Sequence, residues 1–302
     1  MSPPSIYVEV SVACELDELW AHTQEPEQHE RWDLRFSRIE YLRRDSDAEP
    51  QRFRYERSIL PGVSVRGWGE TRGERRQEDG SAASALAFGS HQRRSLIEQG
   101  SGYWRYEPAD GRIRFLTRYD YEPRWGLVGR VLDRLCFRSL IGWATAWSFD
   151  RLRLWVEEGI TPERAARTAL VHALASGSLA AAWLYQGLVP KLLVPDSGEL
   201  DLLRRSGLLP GREELLVTAV GIAEVGFAAV FALQSHRRWP WLANLAVLPA
   251  LAAGALRSDR SIFVRPFNPA SLTFAMLGLG VIGLTVRSEC PSAGRCLRQP
   301  PP

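Results

Sequence analysis

Apolar and polar residues alternate one for one through IYVEVSVA, which puts Ile6, Val8, Val10 and Val12 on one face of a half-buried strand. The period then lengthens. Leu16, Leu19 and Trp20 mark a short helix that Pro26 ends, and HERWDLRFSRIEYL leads into another strand. Strand patterns follow over 52–59, 63–75, 82–88, 95–106 and 112–121. Pro61-Gly62, Asp79-Gly80 and Asp110-Gly111 stand between runs as hairpin turns. From Arg124 to Gly159 no proline interrupts the chain, basic residues recur, and Trp125, Trp143, Trp147 and Trp155 are spread along it. This predicts a long helix over 126–157 that closes the first domain. A strand, a helix pair, a meander of strands and a long helix make an α+β arrangement over 1–160.

Near residue 165 the pattern becomes continuously apolar. The runs 168–189, 215–233, 239–256 and 267–286 each approach the roughly 20 residues that cross a hydrocarbon core about 30 Å thick. Trp183, Tyr185, Trp239, Trp241 and Phe267 lie near their ends, as interfacial aromatics do. The second domain, 161–287, is therefore expected to be an all-α four-helix transmembrane bundle. Between the first two spans, 196–212 pairs leucines with charges at helical spacing, as a surface amphipathic helix does. The polar, proline-ending stretch 288–302 is expected to be disordered.

Glu224 is the one ionisable residue of the second span, about 13 Å deep at helical rise. A charge at such a depth costs about 2.5–3.5 kcal/mol on insertion scales, so it is either satisfied between helices as a neutral acid or marks a proton or ligand site. Tyr185 and Gln186 lie closer to it in depth than Lys191 and are placed to hydrogen-bond a protonated Glu224. Lys191 reaches it only if the first span breaks at Pro190.

Composition narrows the functional classes. The net charge of +3 is small and the arginines alternate with acids, whereas nucleic-acid binding wants a segregated basic face. Cys14, Cys136, Cys290 and Cys296 are scattered without metal-ligand or CxxC spacing, so no metal and no cofactor is assigned. MSPPSIYVEV lacks the basic and apolar regions of a secretory signal. Four spans place both termini on one side. Arginines on the two sides balance, and the folded first domain favours the cytoplasmic side of a bacterial plasma membrane.

The order of elements and HERWDLRFSRIEYL resemble the SRPBCC superfamily of START-like, polyketide cyclase and lipid-transport domains. The resemblance implies a helix-grip fold, a curved sheet round a long C-terminal helix, enclosing an apolar cavity. YQGLVPKLL, the glycine-flanked Glu224 and FNP at 267–269 resemble the DoxX-like family of four-span membrane proteins. Under the START-like reading, strand parity and the long helix offer Trp68, Glu98, Trp104, Phe115, Tyr119 and Trp147 as ligand-lining residues. Glu224, Lys191, Tyr185 and Gln186 are the candidates within the membrane. Glu70 and Glu98 form an acid/base pair only if they face inward, and isolated carboxylates in arginine-rich strands are commonly surface ion pairs. No nucleophile–His–acid spacing appears, so no catalytic residue is assigned. The expected function is capture or transfer of a hydrophobic ligand beside membrane lipids. A membrane-tethered enzyme of cyclase or oxidoreductase type is the alternative, and homo-oligomerisation stays open.

Overall fold

The computed structural model describes residues 4–301 apart from 47–48, 195–196, 265 and 267. It divides into Met1–Ala166 with Pro291–Pro302, and Arg167–Cys290.

In the first unit, strands β1 (Ile6–Val12), β2 (Arg38–Tyr41), β3 (Arg52–Leu60), β4 (Val63–Arg76), β5 (Ala82–Gly89), β6 (Ile97–Ala109) and β7 (Arg112–Pro123) form one antiparallel sheet. Their order is β1-β7-β6-β5-β4-β3-β2, so the first strand closes onto the last and the helices α1 (Leu16–Gln24) and α2 (Pro26–Trp32) bridge to the opposite edge. The turn between β6 and β7 needs positive φ at both central residues, which Asp110 (50°) and Gly111 (72°) supply. Alternation then fills the inner face: Val8, Val12, Tyr106 and Phe115 are buried.

The long helix crosses that face in three pieces: α3 (Gly126–Leu132), a π-helical turn over Asp133–Phe137, and α4 (Arg138–Glu158), which Gly159 caps at φ +66°. Phe149 of α4 stacks on Phe115 with ring centroids 4.5 Å apart, and Trp32 closes against both Phe149 and Trp104. The observed architecture is the expected α+β sheet gripping a helix. Each aromatic core side chain lost here would cost about 3–5 kcal/mol.

The tail corrects an expectation. Rather than being disordered, 291–298 returns to the first unit. Asp150, buried on α4, accepts from Ser292 N at 2.7 Å and from Arg295 at 3.0 Å. Cys296 is buried and donates to Ala146 O, while Leu297 and Glu9 exchange two backbone hydrogen bonds of 2.9 Å. The physical reason lies in the partner. β1 is an edge strand with unpaired backbone groups, and the fixed carboxylate of Asp150 lacks other backbone donors among the described residues.

Four helices are long and apolar enough to cross a membrane: Pro162–Leu193, which begins in the last residues of the first unit, and Glu213–Gln234, Trp239–Ser258 and Pro269–Glu289 of the second. The first comprises α5 (Pro162–Leu188) and a π-helical turn over Val189–Leu193. The others contain α7 (Glu213–Gln234), α8 (Trp239–Ser258) and α9 (Pro269–Val286), while α6 (Glu199–Ser206) is the short amphipathic helix within the stretch expected to form one. Trp183, Phe231, Trp241 and Met276 form the centre, where Trp183 donates to Asn244 at 2.9 Å and Asn244 donates to Met276 O. Phe267 of the FNP motif, and Asp196 at the expected start of the amphipathic helix, lie outside the described residues.

Candidate functional site

Between the inner face of the sheet and the long helix lies a cavity of ≈ 130 Å³. Its walls are mostly apolar: Phe36, Phe53, Tyr55, Leu86, Phe88, Ile97, Trp104, Tyr119 and Ile141. Local sequence shapes the space. Gly67 and Gly69 sit on the inner face of β4, where a Cβ would fall 2.2 Å from the Tyr55 ring and 2.1 Å from that of Phe53. Only glycine lets these two rings lie flat against the neighbouring strand. The phenol of Tyr55 is pushed up to about 12 by burial.

One polar array interrupts this lining. His29 from α2 and Arg35 from the following turn both face the cavity, and both are held by Asp33, whose side chain is fully buried. His29 Nε2 lies 3.1 Å from Asp33 Oδ2, and Arg35 reaches the same carboxylate through Nε at 2.9 Å and Nη2 at 2.6 Å. Burial alone would raise the Asp33 pKa, but the guanidinium and imidazole outweigh it and hold the carboxyl below its ordinary range. Burial also depresses His29, so its imidazole is neutral near pH 7. Since Asp33 is ionised and can only accept, Nε2 carries the proton and Nδ1 is left as an acceptor.

The guanidinium lies 5.6 Å from the ring centres of both Tyr119 and Phe36. Tyr119 in turn shares a 2.9 Å hydrogen bond with Thr145 of α4. Its phenol pKa is raised by burial against the opposing pull of Arg35. The result is an apolar pocket with a rigid, net-neutral polar cluster on one wall, where Arg35 offers donors and His29 Nδ1 an acceptor. An apolar molecule carrying one carbonyl, hydroxyl or carboxylate group matches it.

Of the ligand-lining residues expected from sequence, Trp104 and Tyr119 line this cavity. Phe115 is one layer deeper, sealed beneath Phe149 and Tyr106. Trp147 packs on the core beside Trp143 and Arg151. Trp68 is on the outer face of β4, stacked with His91. Glu98 is turned outward by a β-bulge between Ile97 and Gln99, pairs with Arg124 at 3.4 Å, and leaves Ile97 inside. Glu70 pairs with Arg52 at 3.0 Å and with Arg72, so Glu70 and Glu98 form no carboxylate pair. His29 and Arg35 are not among the residues expected from the sequence, although HERWDLRF holds them at the spacing that lets one aspartate between them serve both.

The second unit holds a separate polar cluster. The π-helical turn containing Pro190 is the break that brings Lys191 to Glu224, with Nζ 3.0 Å from Oε2. This contact is an ion pair whose angle falls outside hydrogen-bond geometry. The same ammonium donates to Gln186 O at 3.2 Å and lies 3.4 Å from Glu199 Oε1. Glu224 and Lys191 are both buried to nine-tenths. Gly187 and Gly221 allow the approach, since a Cβ on Gly187 would lie 2.5 Å from Gly221 O. Gln186 thus contributes its backbone carbonyl, while Tyr185 is exposed on the helix surface.

Comparison with known proteins places the chain. A model of the DoxX-like family matches residues 180–281. The membrane protein YndG of Bacillus subtilis is 41% identical over 240 residues, 79% of this chain and 81% of YndG. Among solved structures, a STAR-related lipid transfer protein from Xanthomonas axonopodis aligns with 50% of this chain and 84% of its own, at 12% identity and a TM-score of 0.39. The Zhui aromatase/cyclase from Streptomyces aligns with 51% and 98%, at 14% identity and a TM-score of 0.34. The chain belongs to the family of membrane proteins that includes YndG, and its membrane half is DoxX-like.

Proposed function

We propose that this membrane protein of the YndG family uses its first domain to bind a hydrophobic molecule with one polar end and to exchange it with the bilayer. The observation that carries this reading is the apolar cavity, partly open to the outside, with His29 and Arg35 fixed on its wall by a buried carboxylate. At ≈ 130 Å³ the cavity is smaller than the roughly 300–1,000 Å³ of typical ligand pockets. A ligand longer than a single ring therefore either extends out through the open side or parts the walls, and the long helix carrying Ile141 is the wall that crosses the sheet. Cytoplasmic placement of the domain belongs to the same reading.

The test is organic extraction of the purified full chain, followed by mass spectrometry. A hydrophobic compound is expected from the native protein and is lost in Leu86→Trp, which fills the cavity. Identical extracts from native protein and L86W sink the proposal.

A second reading has its own observation. Neutral His29, with Asp33 fixing its tautomer and Nδ1 free to accept, has the form of a general base. An enzyme of cyclase type would then lose turnover in His29→Asn while still retaining the extracted ligand. Loss of binding without any conversion of the bound compound in native protein favours carriage over catalysis.

A further inference from the structure

The stretch 125–143 is inside out for a helix in water. Its inward positions include Gly129 and Asp133, both buried, with Asp133 held by the Tyr121 hydroxyl and by Arg138 at 2.9 Å. Its outward positions are Leu127, Val128, Val131, Leu132 and Leu135, all exposed, Leu127 and Leu135 to 71% and 76%. Spacings of three and four residues set these five side chains in one stripe. Exposed Arg130 and Arg134 follow its border, and exposed Trp125 and Trp143 stand at its ends. A folded domain that buries a carboxylate and shows a continuous leucine–valine stripe is carrying a contact surface.

We propose that this stripe docks into the interfacial zone of a bilayer, with Arg130 and Arg134 on anionic headgroups. Three observations select lipid as the occupant. The chain itself spans a membrane, and only Gly159, Ile160 and Thr161 separate α4 from α5, so the domain is held at a bilayer. An apolar stripe with a cationic border and terminal indoles reproduces the layering of acyl chains, headgroups and interface. A second copy fits less well, because a two-fold contact through the same stripe brings a border of arginines towards another such border. The docking rests on the surface alone. Its consequence, that Ile141 on the same continuous helix places the cavity wall next to the apolar phase, rests on the ligand-binding reading above.

The test uses the full chain in nanodiscs of phosphatidylcholine, with and without phosphatidylglycerol, doped with a phospholipid bearing a diazirine on its acyl chain. After photolysis, mass spectrometry is expected to find adducts within 125–143 as well as in the spans, more of them with phosphatidylglycerol. Leu127→Asp with Leu135→Asp should remove the adducts at 125–143 and leave those in the spans and the circular dichroism spectrum unchanged. Adducts confined to 167–290 overturn the proposal. So does labelling of 125–143 that disappears when each disc holds a single copy, since that assigns the stripe to a second chain. Ligand extraction is read separately, so an empty cavity and an undocked helix are distinguishable failures.

Discussion

Asp33 has no exposed side-chain surface, and an unpaired carboxylate there would be untenable. It keeps its charge because Arg35 and His29 converge on it. The groups facing His29 are Asp33, Arg35 and Glu30, and their sum with burial leaves its folded pKa below the ordinary 6.5. The sign of the pH dependence follows. The unfolded chain protonates His29 more readily than the folded one, so the stabilising contribution is full above pH 6.5 and declines as pH falls below it. Asp33, held below its ordinary 3.8, adds a second loss in the same direction at still lower pH. Each group contributes a slope of at most about 1.4 kcal/mol per pH unit. Amide exchange in β6 and β7, measured between pH 5 and 7.5, should show protection falling on the acid side. Replacing His29 with Asn should flatten that part of the profile. Equal acid sensitivity in native protein and H29N would remove His29 as its source.

At the scale of elements, the two π-helical turns and the β-bulge at Ile97/Gln99 do most to separate the observed site from the one read off the sequence. Period-two and period-3.6 patterns are averages over a run, and they made the seven strands, the long helix and the four spans legible. An inserted residue resets the phase. The bulge at Ile97/Gln99 exchanges Ile97 for Glu98 on the inner face, and no local composition announces it. Trp68 was misplaced for another reason: its strand pairs inner-face glycines with outer-face aromatic and charged residues, so hydrophobicity pointed to the wrong face. Lys191 was legible only conditionally, on a break at Pro190, and the π-helical turn is that break.

The break also yields a prediction. Lys191→Met strands the Glu224 carboxylate in an apolar setting and should cost about 3–5 kcal/mol. Glu224→Gln leaves Lys191 with Glu199 and Gln186 O, so it should cost clearly less. The double variant K191M/E224Q should recover most of the loss of K191M. Thermal aggregation midpoints in detergent measure all three, and simple additivity would show that the two residues are not coupled.

For the whole molecule, the decisive feature is that the chain leaves the first domain after Ala166 and re-enters it at Pro291. The cavity is thus bound into the membrane protein twice, once through α4 and α5 and once through the returning tail. For the proposed exchange with the bilayer, such a tether would raise the effective concentration of the cavity at the lipid pool without adding affinity. It also means that the tail is a working part of the first domain, closing the edge of β1 and capping Asp150. A protease site inserted between Gly159 and Thr161 isolates the two connections. After cleavage, the fragment carrying the sheet should stay with the membrane fraction through its contacts with 291–298, which include a backbone ladder to Glu9 and the buried Cys296. Burial pushes the Cys296 thiol up to about 12, so it should resist alkylation as long as the tail is seated. Asp150→Ala removes the acceptor shared by Ser292 and Arg295. In the cleaved D150A protein, Cys296 should alkylate and the fragment should wash off in the supernatant. Release of the native fragment by cleavage alone would reduce the tail to a passive end and leave the short α4–α5 connection as the sole tether.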